Sequence, residues 1–444
     1  MHALGAATRT VPRSRPTLAQ LLAAAAWLVA LMAVGHLVVS AVSSQMLDLD
    51  VYRSGGQAVL HGERLYAFHA ADRLPFTYPP LSAVLAMPLA ALPFGADKVI
   101  WLLLAVCGPL VLVVRIGFRP LLTSLGSVAP AAFPLILAIA AYLQPVKEEF
   151  GFGQVDLLLL GLCLVDCLAR SPRWPAGLLI GLATAVKLEP GVFIIYLLIT
   201  GRRRAAGTAV ASFAASTGLA WAISPGDSAA YWGSAIFQTR RLGGNASAAN
   251  QALRGMVLRA LRFHPGAATD LVWLLAVLVV GVAGFAAARA CWRHGQDLAG
   301  IAITGLLWAL LSPVAWIHHL CWVVVAIGVV VGTGQRAARA VVAALTGALF
   351  LTTLPTWAGR TMPAAQLVSV PGFIMENSFG LAALALVLAV WWVSHQHSVV
   401  TWSGRWSRPG ARGSPSTSAR SRRPLRRRRP ATPRTGTTCP PPCQ

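Results

Sequence analysis

Charge is what this chain of 444 residues lacks: charged side chains make up 11% of it, and its acids number only 14. Soluble domains carry about 25% charged residues, so a water-soluble globular fold is excluded. Cysteine is sparse and unpatterned. Cys107, Cys163, Cys167, Cys291 and Cys321 lie in or beside apolar runs, where small buried thiols are ordinary. Cys439 and Cys443 flank a triple proline with no histidine or acid beside them. Neither a disulfide framework nor a metal site is expected. No internal repeat is visible, and polar groups do not cluster at mid-span, so the signature of an inverted-repeat transporter is missing.

What the chain has is apolar length. Hydrophobic residues are 56% of it and mean hydropathy is +0.64. Runs near bilayer-crossing length recur, which predicts an all-α polytopic membrane protein. Residues 20–42 are too long for a signal-peptide core, and more spans follow. The expected spans are about twelve: residues 17–42, 97–117, 120–143, 154–170, 175–187, 190–200, 205–223, 270–290, 297–312, 316–332, 337–355 and 378–395. Pro190 and Pro313 interrupt otherwise continuous runs, and such breaks need protein or a cavity around them.

The net charge of +23 resembles that of a nucleic-acid binder, but its placement points elsewhere. Eleven arginines and no acid fall within residues 405–434. This tail reads as solvated and basic, a topology anchor attracted to anionic headgroups, and no nucleic-acid partner is expected. If residues 78–94 lie in the interface without crossing, the short basic loops all fall on one side. These run from Arg9, Arg13 and Arg15, through Arg115 and Arg119, Arg202 to Arg204, Arg289 and Arg293, to the tail. The expected organisation is a cytoplasmic N-terminus over 1–16, a membrane domain over 17–395 with a first extracytoplasmic loop at 43–96, and a cytoplasmic tail over 396–444.

The opposite side then receives most of the scarce polar chemistry. Asp48 and Asp50 follow the first span. On a helix, residues two apart diverge by about 200°, so they are not expected to act as a dyad. Either carboxylate suits a general base, and Asp50 also suits the cap of a helix starting near Val51. Tyr78 enters the interfacial segment through "FTYPP". Lys187, at a proline bend near a membrane face, must be paired: it either holds a phosphate or bridges Glu189. His318 and His319 stand beside Trp316 after the break at Pro313. Adjacent helical residues point about 100° apart, so one of the two is expected to face a site. Asn250, Gln251 and Arg254 of "NQALRG" suit sugar hydroxyls or a phosphate. One base among several phosphate binders fits transfer from a phosphate-activated, membrane-dissolved donor.

Six stretches in order carry a resemblance: "DLDVYRSGGQAVLHGERLY", "LPFTYPPLSAVL", "GFGQVDLLLLGL", "GLATAVKLEPGVFIIYLL", "NQALRG" and "LSPVAWIHH". Together they resemble glycosyltransferase family 87, the polyprenyl-phosphate-mannose-dependent α-mannosyltransferases of the GT-C superfamily. The first two are most similar to members making α-(1→2) linkages on mycobacterial lipomannan and lipoarabinomannan. The resemblance covers about residues 17–395. It implies a GT-C fold in the plasma membrane with an extracytoplasmic site, and it assigns the base to the acid four residues before the tyrosine, which is Asp48. It further implies roles for Lys187, Asn250, Gln251, His318 and His319, while Asp50 stands at a position that varies in the family; the expected substrate-binding set is these five with Asp50, Tyr52, Tyr78, Gln154, Asp156 and Arg254. Two positions depart from the family pattern: Asp156 where Asn is usual, and Glu189 where a neutral residue is commoner.

The implied reaction is an inverting transfer from a β-linked mannosyl phosphopolyprenol to a mannosylated lipoglycan or phosphatidylinositol mannoside. Its partners are that donor, that acceptor and membrane lipids. No cofactor and no metal dependence are expected. The alternatives are a GT-C transferase for another polyprenyl-linked sugar, or a polytopic transporter or flippase.

Overall fold

The computed structural model describes residues 17–67, 74–169, 172–238, 241, 243–261 and 266–396. The expectations for residues 1–16, for Arg170, for the tail from residue 397 and for its two cysteines lie outside the described residues. Helices dominate, and among the described residues an isolated antiparallel bridge joins Asn250 to Trp316.

Six helices are long and apolar enough to cross a bilayer: Leu18–Val42, Phe94–Gly117, Arg119–Tyr142, Arg203–Ile223, Ala267–Arg293 and Ser378–His395. Two bent pairs raise this to eight if each pair counts as one span. The expected count of about twelve is therefore not reached by length. The difference lies in the interior. Asp297–Leu311 and Ile317–Val331 are 15 residues each, about 22 Å at 1.5 Å per residue, short of a roughly 30 Å core. Leu178–Val186 and Glu189–Ile199, split by the Pro190 bend, are shorter still. Sequence hydropathy does not separate such helices from lipid-facing ones, because both are apolar. Twelve consecutive residues of Asp297–Leu311, Ala299 to Leu310, are buried, so other helices take the place of lipid around it.

The site is built where elements break. Leu18–Val42 begins on a capping box, Thr17 and Gln20 each holding the other's backbone N–H. After it the chain turns through Met46, whose φ of 48° is the described positive value at a non-glycine, into Leu47–His61. That helix begins four residues earlier than expected. Asp50 therefore lies in its first turn and does not cap it, and Asp48 and Asp50 diverge as helical geometry requires. The interfacial segment forms the Pro80–Ala90 helix, 11 residues and about 16 Å long, which cannot cross a bilayer. It packs against Leu47–His61 at Gly56, where an added Cβ would meet the Ala86 backbone at 2.6 Å.

The sharpest break is the 119° bend between Gln144–Phe152 and Asp156–Leu168. Gly153 makes it at φ 71°, and a Cβ there would approach that of Leu49 to 2.7 Å. Glu149 locks the bend from within, its Oε2 accepting the Leu157 N–H at 3.2 Å. One turn of chain thereby brings Glu148, Gln154 and Asp156 beside the first loop.

Candidate active site

A cavity of about 820 Å³ opens among these breaks. Asp48, Tyr78, Gln154, Lys187, His318 and His319 all line it, although they come from five separate stretches of chain. Asp48 projects from the first turn of its helix, half-buried, and accepts the Tyr78 hydroxyl at 3.2 Å on Oδ1. Burial pushes its carboxyl above the ordinary value of 3.8, and the nearby charges of His318 and Lys187 pull it back in part. Behind it the Tyr52 hydroxyl donates to Gln154 Oε1 at 3.2 Å, and the Tyr52 and Tyr78 rings pack at 4.7 Å. Tyr52 is thus a support for the wall.

Lys187 ends the Leu178–Val186 helix in extended conformation, φ −149° and ψ 136°, which turns its side chain inward. The ammonium lies 2.7 and 2.9 Å from the two oxygens of Asp156 and 3.0 Å from His319 Nε2. In place of a bridge to Glu189 there is one to Asp156, 31 positions away in sequence and brought close by the packing of the Asp156–Leu168 helix against Leu178–Val186. Two N–H···O contacts on a buried carboxylate outweigh the near neighbour on its own loop. Glu189 instead approaches His319 Nδ1 at 4.0 Å.

Both histidines face the cavity, contrary to the expectation of one. They stand on a tight 3₁₀ turn, Ile317–Trp322, with rings 4.7 Å apart and 72° to each other. His318 Nδ1 lies 3.4 Å from Glu148 Oε2, while His318 Nε2 and His319 Nδ1 are buried without a hydrogen-bond partner among the described residues. Asp156, His318 and His319 offer ligand atoms within 4.8 Å of one another, a spacing a metal ion can use. Lys187 Nζ already lies between Asp156 and His319, so a metal ion there would have to displace a cation.

The "NQALRG" residues take another role. Asn250 Oδ1 accepts the Ala315 N–H at 3.0 Å and the Ala252 N–H at 3.1 Å, and the Gln251 N–H donates to the Ala315 carbonyl at 2.8 Å. Gln251 Oε1 accepts the Gly380 N–H at 2.8 Å. Both amides are fully buried and clamp the turn that carries the histidines; they do not line the cavity. Arg254 also stands off the cavity, paired with Asp270 at 3.1 Å over the Trp273 ring. Asp50 and Asp156 are likewise not in the lining, the latter lying one layer behind Lys187.

Several lining residues had not been singled out from sequence: Glu148, Trp308, Arg241 and Arg360. Glu148 was legible as part of "KEEF", an acidic pair in an acid-poor chain. Nothing local marks Arg241 or Arg360.

The profile of glycosyltransferase family 87 matches residues 76–313. A Mycobacterium tuberculosis protein named polyprenol-phosphate-mannose-dependent α-(1-2)-phosphatidylinositol mannoside mannosyltransferase is 33% identical over 334 residues, covering 70% of this chain and 76% of that protein. Its namesake from Mycolicibacterium smegmatis is 35% identical, covering 62% of this chain and 67% of the relative. A second M. tuberculosis protein, named for a phosphatidylinositol pentamannoside, is 33% identical over 63% of this chain and 65% of its own length. No solved structure matches. With the profile spanning over half of the chain and the first relative over two thirds of it, the chain belongs to glycosyltransferase family 87.

Proposed function

We propose that this multi-pass enzyme transfers mannose from polyprenyl-phosphate-mannose to a phosphatidylinositol mannoside or a longer mannan-type lipoglycan, forming an α-(1→2) linkage with inversion. The names of the relatives support the donor and the mannoside acceptor. The reading carries with it a GT-C fold in residues 17–395, a plasma-membrane location and a cavity open to the extracytoplasmic side. A count near twelve crossings would require each short interior helix to act as one.

The observation that carries the mechanism is Asp48, held by Tyr78 at the cavity wall with Lys187 and His318 nearby. Asp48 removes the proton of the attacking acceptor hydroxyl while the anomeric carbon gains oxocarbenium character. The departing phosphate takes the negative charge, and an imidazole N–H of His318, whose Nε2 has no protein partner, is placed to donate to it. Lys187, already neutralised by Asp156, fixes His319 and the floor of the site rather than supplying an unopposed charge. These residues perform the steps without a metal in this scheme.

The test is Asp48→Asn in membranes with matched protein levels, supplied with purified polyprenyl-phosphate-mannose and, in parallel, other polyprenyl-linked sugars. The expected result is loss of mannosyl transfer by 10³-fold or more, on the order of a base contribution plus its charge. Retained transfer sinks the assignment of the base. Transfer only from another donor moves the enzyme to that sugar.

A further inference from the structure

Asp48, Glu148 and Glu189 line the cavity, with Asp156 directly behind, and the lysine in the lining is bound by Asp156 through both oxygens. A phosphodiester carries a negative charge, and carboxylates at contact distance repel it unless cations outnumber them. Arg254, expected from sequence to help, is off the cavity and paired. Two other cations remain in the lining, Arg241 and Arg360, and among the described residues neither is in an ion pair with a carboxylate.

Their surroundings suit an anion. Arg241 is half-buried; one guanidinium nitrogen donates to the carbonyls of Tyr66 at 2.8 Å and Phe76 at 3.5 Å, while its Nε is buried with no partner. Those bonds orient the planar fork and leave donors unused, the geometry that bidentate phosphate recognition needs. Arg360 comes from the last turn of the Leu354–Thr361 helix, exposed, with Thr356 one turn earlier also in the lining. Gln238 adds an amide, and the Trp316 ring, packed 3.1 Å from where a Gly243 Cβ would lie, forms a flat wall. None of these groups is acidic.

We propose that Arg241 and Arg360 form an anion subsite in this cavity that receives the phosphodiester of a lipid substrate. This rests on the transferase reading above, under which two substrates carry that group: the polyprenyl-phosphate sugar donor and a phosphoinositol-anchored acceptor. The two guanidinium groups add positive charge for the phosphate in a lining that also carries carboxylates.

The experiment uses the full-length enzyme in membranes or nanodiscs, as wild type, Arg241→Gln, Arg360→Gln and the corresponding Lys variants. Initial rates are measured with donor varied at saturating acceptor, then the reverse. Each Gln variant is expected to raise KM for one of the two lipids about tenfold, the loss of one charge-assisted contact, with kcat within about twofold. Lysine is expected to restore part of the affinity at Arg360. A shift confined to the donor places its phosphate at the subsite; a shift confined to the acceptor places the phosphoinositol there. Unchanged KM for both lipids, or a fall in kcat alone, overturns the proposal. Arg360 is exposed, so its variant keeps the test valid even where Arg241→Gln fails to fold. The Asp48→Asn result is read separately: it can fail with these KM shifts intact, and the reverse also holds.

Discussion

Removal of Asp156 tests the electrostatic floor of the site most sharply. Its side chain is 3% exposed and that of Lys187 is 6%, so the ammonium has almost no water to fall back on. Asp156→Leu would leave it with His319 Nε2 at 3.0 Å, the Tyr78 ring at 5.9 Å and the charges of Glu189 and Glu149 beyond hydrogen-bond reach. Breaking one half of a buried pair costs about 3–5 kcal/mol, chiefly as the price of the uncompensated charge. Sensitivities of about 2–4 °C per kcal/mol apply to chains of 150–250 residues and shrink with length, so a fall of about 5–10 °C in melting temperature is expected here. Adding Lys187→Met removes the orphan, and the double variant should recover to within about 1–2 kcal/mol of wild type, a coupling of at least about 2 kcal/mol. Asp156→Asn keeps an acceptor oxygen and should lose about 1–3 kcal/mol. Tryptophan-fluorescence melting at one scan rate in one detergent measures wild type, these variants and Lys187→Met alone, which the coupling requires. Additive losses, or an Asp156→Leu variant as stable as wild type, refute the reasoning.

Other expectations follow from the same geometry. Asp48 acts as a base only when ionised, and burial raises its pKa above 3.8, so the acid limb of the kcat/KM profile should lie above about pH 4. A profile flat to about pH 4 contradicts this. The same raised value means that the protonated carboxyl suits the fold better: the contribution of Asp48 to stability is greatest at low pH and declines as pH rises through its folded value. Gly305→Ala would drive a Cβ to 1.9 Å from Trp322 Cδ2, so a loss of about 1–3 kcal/mol or more is expected, seen as a lower melting temperature with the histidine turn displaced. Asn250→Ala unties the Ala315 and Ala252 N–H groups and should cost about 1–3 kcal/mol and slow transfer; unchanged melting and rate would deny Asn250 its role as a strut.

How much of this was legible in the sequence differs by residue. Asp48, Tyr78, Lys187 and the two histidines were marked by scarcity: a polar group in an apolar chain is expensive, so each one drew notice. The start of the Asp48 helix was misplaced because it depends on a left-handed Met46, which no residue preference announces. The partner of Lys187 was hidden for another reason. Its distance in sequence from Asp156 is large, and it is closed by the packing of the Asp156–Leu168 helix, which Asp156 begins, against the Leu178–Val186 helix, which Lys187 ends. Asn250 and Gln251 were correctly sensed as important but given the wrong role, since a buried amide holding backbone and one holding a sugar look alike in one dimension. Arg241 and Arg360 had no distinguishing signal, because arginines are common in the loops of this chain.

The wholly enclosed Asp297–Leu311 helix has a consequence for biogenesis. At about 22 Å it is a poor passenger for release into lipid by itself, and it is packed between Ala267–Arg293, made just before it, and Ser378–His395, the last described helix to be synthesised. Until that last helix arrives, the Asp297–Leu311 helix lacks one of its walls. A chain halted before Ser378 should therefore be a substrate for membrane quality control, however complete its catalytic residues, all of which have by then been translated.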